Sequence, residues 1–228
     1  MKRITYKDSW PEIWKQKYSY DLLEIYGEIT NRGYAYAYKN RLDLTLAMVK
    51  AVAPRNTRVL DVAAGSGNFS LSLAETGYKV VWNDLMEDLV EYVKQKYEYG
   101  EITYAPGNVI DLKFEQPFDL VLIAEIIEHV AYPNVFLQKI AQLVAPGGHI
   151  VMTTPNGHYF RNQLPRFSDF KDPSVFEQSQ FGPGAEDHIF ALYLDEIENF
   201  KKDYLNCLKT HKISKPKRID VIYNKVRF

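Results

Sequence analysis

The chain has 228 residues, of which 46% are hydrophobic and 25% charged, with a formal net charge of −1. This is an ordinary globular composition near the upper size for one compact domain, and no apolar run approaches the roughly 18–20 residues of a membrane span. A single cysteine, Cys207, excludes an internal disulfide, so a reducing, cytoplasmic setting is expected.

The opening run Met1-Lys2-Arg3-Ile4-Thr5-Tyr6-Lys7-Asp8 lacks the apolar core of a secretory signal. Residues 1–53 are expected to form an N-terminal helical cap. Trp10, Trp14, Tyr18, Tyr20, Tyr26 and Tyr34 recur at partly helical spacing over residues 1–35. Leu42, Leu44, Leu46, Val49 and Val52 then give a helix over 36–53 that Pro54 stops. From 54 to 154 short strands and helices alternate. Arg58–Ala63 is an apolar strand, a glycine turn follows, and a helix runs from about Asn68 to Glu75, closed by Gly77. Tyr78–Trp82 is a second strand, 86–97 a helix and 101–105 a third strand. Phe118–Ala124 has the unbroken apolar character of a strand buried on both faces. A helix near 134–144 ends before Pro146-Gly147-Gly148, and His149–Thr154 is the fifth strand. The alternation predicts right-handed βαβ crossovers, hence an α/β fold: a doubly wound, mostly parallel sheet with helices on both faces, in one domain over 1–228. Ligands on such sheets sit beyond the carboxyl ends of the strands, so function is read there.

Residues 155–193 break the rhythm with Pro155, Pro165, Pro173 and Pro183. Their aromatics, among them Tyr159, Phe160, Phe167, Phe170, Phe176 and Phe181, form either a lid that excludes water or the core of a small insertion. Residues 194–228 supply a C-terminal helix near 194–208 and one edge strand over 219–228. From Lys201 onward nine Lys/Arg stand against two Asp/Glu. This basic tail is either a solvated segment or a contact for a phosphate-bearing partner.

The turn after the first strand carries the most chemistry. Asp61 closes a buried strand, where a carboxylate is costly unless something satisfies it. Gly65 and Gly67 let the backbone pass close to a ligand. A nicotinamide-binding turn reads G-x-G-x-x-G and cradles a pyrophosphate. Here Ser70 stands at the third glycine and an acid precedes the turn, which suits the ammonium of an amino-acid ligand and repels phosphate. The run Val59-Leu60-Asp61-Val62-Ala63-Ala64-Gly65-Ser66-Gly67 resembles the first motif of class I S-adenosylmethionine-dependent methyltransferases, which have a Rossmann-like fold. Asp84 after the second strand, Gly107-Asn108-Val109 after the third and Pro146-Gly147-Gly148 before the fifth agree with that family in order and spacing.

The resemblance implies S-adenosylmethionine as cofactor, bound by Asp61, Ala63, Gly65, Gly67, Asp84, Leu85, Asn108, Val109, Ala124 and Glu125. It implies that Asp84 accepts the ribose hydroxyls. Asn108 stands where the family has an acid, and its amide can still bond the adenine edge. The family also finishes with an antiparallel hairpin, whereas the residues after 208 supply about one strand. Methyl transfer from a sulfonium is an in-line displacement that needs alignment above all, with a base or a metal to take the acceptor's proton.

On the acceptor side, a helical turn starting at Glu125 would put Glu125, Glu128 and His129 on one face. The run Glu125-Ile126-Ile127-Glu128-His129-Val130, followed by Thr154-Pro155-Asn156, resembles the ubiquinone-biosynthesis O-methyltransferase branch. The small-RNA 2′-O-methyltransferases share Glu-x-x-Glu-His and use it, with a later histidine, to hold Mg²⁺ or Mn²⁺. Asp187-His188-Ile189-Phe190 matches that later piece. Glu125, Glu128, His129 and His188 are therefore candidate metal ligands, and His129 with Glu128 candidate catalytic groups. The bland alternative is that Glu128 and His129 only brace the turn after the fourth strand. His158 and Tyr159 are candidates to line an acceptor pocket, and Tyr34, Tyr36 and Tyr38 to close over the cofactor. The leading expectation is O-methylation of a small molecule. A metal-dependent RNA 2′-O-methyltransferase is the alternative, disfavoured by the acidic character of the first 200 residues. A non-catalytic subunit that keeps the fold is a third reading, against which the intact turn and Asp84 speak.

Overall fold

The computed structural model describes residues 1–28, 30–178, 188–210 and 218–223. They divide into two compact units, residues 1–112 and residues 113–225.

The first unit opens with α1 (Glu12–Glu24) and α2 (Arg32–Val52), then runs β1 (Arg58–Val62), α3 (Asn68–Glu75), β2 (Lys79–Trp82), α4 (Leu89–Lys96) and β3 (Glu101–Tyr104). Its strands lie in the order β3-β2-β1, all parallel. Leu60 pairs with Val81, and Val81 with Thr103. β1 is buried at Val59, Leu60, Asp61 and Val62, which is why it reads as an unbroken apolar run around one acid. The leading aromatics pack into this unit. Ile4 and Trp10 join Leu71, Trp82, Leu89, Tyr92 and Val93 in one core cluster, with Trp14 and Tyr18 against it.

α1 shows no apolar stripe, and its two buried side chains are Asp21 and Glu24. Beyond the packing of Trp14 and Tyr18 it docks by charge. Lys96 Nζ donates to Asp21 at 2.7 and 2.9 Å, and the Tyr92 hydroxyl donates to the same carboxylate at 2.7 Å. A buried ion pair of this kind repays its desolvation only when further hydrogen bonds satisfy it, and here they do.

The second unit contains β4 (Phe118–Ala124), α5 (Pro133–Leu143), β5 (Val144–Thr154), α6 (Leu194–Thr210) and β6 (Arg218–Tyr223). Its strands lie in the order β4-β5-β6, again parallel. β6 runs parallel to β5, with Met152 opposite Val221, so the antiparallel hairpin that the resemblance suggested is not what these residues form. The reason is the connection: α6 lies between β5 and β6 in the chain, and a helical crossover returns the chain in the same direction. β5 starts at Val144 rather than at His149, because Pro146-Gly147-Gly148 is carried within the strand.

In the segment 155–178 several of the aromatics make ring contacts. Phe167 meets Phe190 at 5.1 Å and Phe200 at 5.3 Å between ring centroids, and Phe170 meets Phe176 at 4.9 Å. Phe160 is 77% exposed and Phe181 lies outside the described residues. The short turns at 167–169 and 173–176 are 3-10 helices. Among the described residues no helix is long and apolar enough to cross a membrane.

Candidate functional site

The first unit assembles the glycine bend and two acids. Ala63, Gly65 and Gly67 all have positive φ, at 48°, 51° and 73°. Glycine adopts that region at no cost; Ala63 does so with a Cβ and stores strain of the sort found at binding sites. Gly67 is the left-handed residue before α3, and a Cβ there would stand 2.7 Å from a Val93 methyl. Gly65 differs: among the described residues a Cβ on it would meet, beyond its chain neighbours, only Lys17 Nζ, at 3.9 Å. The outward face of the bend is therefore open at Gly65 and filled at Gly67.

Asp61 is buried at the end of β1. Its Oδ2 accepts a 2.5 Å hydrogen bond from the Ser70 hydroxyl, and its Oδ1 has no hydrogen-bond partner among the described residues. Burial pushes this carboxyl up to about 7; the nearby charges of Asp84 and Glu24 add to the rise and the Ser70 bond opposes it. Ser70 is thus more than a lost glycine: it holds one oxygen of the acid.

Asp84 follows β2 and is 9% exposed. Its Oδ2 accepts from the Gly65 N–H at 2.8 Å and its Oδ1 from the Met86 N–H at 2.9 Å. The acid after the second strand therefore holds the glycine bend directly. Leu85 beside it is 45% exposed. Asn83, which the sequence reading passed over, donates from Nδ2 to the carbonyls of Ala105 and Gly107 at 2.7 and 2.9 Å. With the Gly107 N–H on the Asp84 carbonyl at 2.8 Å, this ties the Gly107-Asn108-Val109 turn to the end of β2. Asn108 Oδ1 accepts from the Ile110 N–H at 3.2 Å, and Val109 is buried.

Asn68, directly after Gly67, also escaped the sequence reading. Its Nδ2 donates to Asp21 Oδ1 and Glu24 Oε2, both at 2.8 Å, while its Oδ1 accepts from Lys96 Nζ at 2.5 Å. α1 is thereby fastened to the residue that ends the bend. Tyr34 and Tyr36 lie 54% and 68% exposed on α2, and Tyr38 packs on Tyr20 and Arg41. The side chains reaching the bend come from α1 instead.

The second unit brings together Glu128, His129 and His188, whose ligand atoms lie within 4.8 Å of one another. Glu128 is fully buried; its Oε2 accepts from the Thr154 hydroxyl at 3.1 Å, and its Oε1 lies 3.8 Å from His188 Nε2. Its carbonyl accepts from the Ile189 N–H at 3.0 Å. The His129 and His188 rings meet edge to face at 4.8 Å. Glu125 is outside this group. It has φ 55°, its N–H continues the β4–β5 ladder onto the Thr153 carbonyl at 3.0 Å, and the turn that follows is a 3-10 turn over 127–129. The helical face expected from Glu125 onward therefore does not form. Ala124 is the half-buried last residue of β4. His158 is exposed and stacks on Tyr193 at 4.7 Å, while Tyr159 pairs with Phe160. Asp187 lies outside the described residues.

Residues 60–152 match a family described as a methyltransferase domain. A ubiquinone biosynthesis O-methyltransferase of Caulobacter sp. (strain K31) is 39% identical over 147 residues, 63% of this chain and 56% of that protein. The tRNA 5-carboxymethoxyuridine methyltransferase of Escherichia coli (strain K12) is 29% identical over 123 residues, 51% of this chain and 46% of that protein. The chain spans about half the length of the curated relatives it matches. The magnesium protoporphyrin IX methyltransferase of Synechocystis PCC 6803, solved with bound SAH, superposes with a TM-score of 0.54 at 14% identity, over 83% of this chain and 89% of that one. At that identity the likeness speaks for the fold, and the fold is the doubly wound Rossmann-like sheet expected from the strand–helix alternation.

Proposed function

We propose that this chain, whose residues 60–152 match a methyltransferase domain, is a class I S-adenosylmethionine-dependent methyltransferase that transfers the sulfonium methyl group to an oxygen of a small-molecule acceptor. The observation that carries the reading is Asp61, a buried carboxylate with one oxygen held by Ser70 and the other without a hydrogen-bond partner among the described residues, beside a bend open at Gly65. A carboxylate so placed calls for a cation, and the cofactor brings an ammonium and a sulfonium. Each Asp84 oxygen holds one backbone N–H and retains lone pairs for the ribose hydroxyls. Asn108 has one oxygen engaged locally and an amide N–H₂ to offer the adenine edge. Ala63, Gly67, Leu85 and Val109 shape the rest of the bend and its flank, while the assignment of Ala124 and Glu125 to the cofactor rests on the resemblance alone.

When bound, the cofactor would supply a methyl group for in-line displacement by the acceptor oxygen, its sulfur leaving as a neutral thioether. The acceptor's proton must leave to a base. In the second unit Glu128, His129 and His188 supply the candidates, with the Glu128–His188 contact orienting the imidazole. Calorimetric titration with S-adenosylhomocysteine tests the cofactor half. Transfer of labelled methyl to a panel of phenols, catechols and sugars, in EDTA, tests the acceptor half. Binding with no transfer to any hydroxyl would sink the oxygen assignment.

The same three side chains favour a second reading. Two imidazoles and a carboxylate fit a divalent ion such as Mn²⁺ better than Mg²⁺, which prefers oxygen ligands. Glu128, His129 and His188 would hold it, and the ion would lower the pKa of a bound hydroxyl. Combined with a ribose acceptor this is the RNA 2′-O-methyltransferase. Activity on RNA 3′ ends that appears only with Mn²⁺ would select it.

A further inference from the structure

The face of α1 toward the glycine bend carries Lys17, Asp21 and Glu24, spaced i, i+4 and i+7 along one side of the helix. Two of the three are committed to internal partners. Asp21 accepts from Lys96, Tyr92 and Asn68, and Glu24 from Asn68 and Arg41. These contacts fix the rotation of the helix, and the fixed helix presents Lys17 one turn earlier.

Lys17 is half-buried, and its ammonium lies 3.9 Å from the position a Cβ would take on Gly65, with no other atom of the described residues beyond the chain neighbours within 4 Å of that position. Its contact is the face of Tyr20, 5.7 Å to the ring centroid, and among the described residues no carboxylate pairs with it. An ammonium is therefore held over the open point of the bend. The surrounding charges of the bend are acids: Asp61, Asp84, Asp21 and Glu24. Of the other nearby cations, Lys96 is fully buried and consumed by Asp21, and Arg41 is paired with Glu24.

The amino-acid end of the cofactor is a zwitterion. Its ammonium suits Asp61, but its carboxylate would meet repulsion from Asp61 and Asp84 unless a cation stood beside them. We propose that Lys17 binds the α-carboxylate of the cofactor over Gly65, making α1 part of the cofactor site. The inference rests on the cofactor reading above and adds to it the residue that recognises one charged group.

The test separates that group from the rest of the ligand. S-adenosylhomocysteine and S-adenosyl-3-thiopropylamine, which keeps the amine and lacks the carboxylate, are titrated calorimetrically into the full chain and into its Lys17→Met and Lys17→Arg variants. Lys17→Met should weaken S-adenosylhomocysteine roughly tenfold, as expected for one charge-assisted contact. It should leave the decarboxylated ligand within about twofold, and Lys17→Arg should retain most of the affinity. Unchanged S-adenosylhomocysteine binding in Lys17→Met, or an equal loss for both ligands, would overturn the proposal. If the unaltered chain bound neither ligand, the cofactor reading itself would fall.

Discussion

At Asp61 a proton and a ligand compete for one oxygen. Its carboxyl titrates near 7, chiefly because it is buried, whereas in the unfolded chain it titrates near 3.8. Between those values the folded state holds a proton that the unfolded state has lost, so Asp61 lowers stability as pH rises from about 4 to about 7 and adds no further slope above. A cationic ligand favours the ionised form and reverses the preference. Affinity for S-adenosylhomocysteine should therefore rise as pH passes through about 7, with proton release on binding below it. Calorimetry in two buffers of different ionisation enthalpy reads the released proton, and Asp61→Asn should abolish it. Asp84→Ala should weaken the same ligand by about 1–3 kcal/mol, through unpaired hydroxyls and a released Gly65 N–H. An unchanged dissociation constant would remove Asp84 from the site. Ala63 tests strain: at φ 48°, replacement by glycine should raise stability by roughly 0.5–1 kcal/mol in urea unfolding, relief of the left-handed backbone outweighing the added chain entropy.

At the scale of elements the decisive contact is α1 against α4 and the start of α3. Lys96→Ala would leave the Asp21 carboxylate buried without its counter-charge, and a loss of about 3–5 kcal/mol is expected in denaturant titration. A loss under about 1 kcal/mol would mean that the pair contributes nothing beyond packing. This contact was invisible in the sequence for a physical reason. Apolar periodicity signals helices that dock by burying oil, and α1 docks through Asp21 and Glu24, so its face has the polarity of an exposed one. Where burial does follow apolar pattern, the sequence was easily read: Asn68–Glu75 and Phe118–Ala124 are the observed α3 and β4, and Asp61 and Asp84 stand at the strand ends where they were sought. α4 begins at Leu89 rather than near 86 because Asp84 draws the Met86 N–H into a turn first. Glu125 misled for a similar reason, since three-residue spacing cannot reveal a left-handed backbone that interrupts the helix.

For the whole molecule, the match to the family spans residues 60–152, and the candidate acceptor groups straddle its end: Glu128 and His129 inside, His188 beyond. The second unit gives the acceptor question a handle. If the imidazoles act without a metal, methyl transfer should persist in EDTA, while Glu128→Gln should reduce turnover and leave S-adenosylhomocysteine affinity unchanged. Loss of affinity together with turnover would instead mean that Glu128 acts by holding the fold.

The fastening of α1 sets a practical limit on dissecting this chain. Ile4, Trp10 and Trp14 cover Leu71, Leu89, Tyr92 and Val93, and Asn68 is clamped from the same side. A truncation beginning at residue 54, the natural choice from pattern alone, would strip that covering and leave a sticky aromatic-rich face beside an unsupported bend. Such a fragment is expected to precipitate on expression.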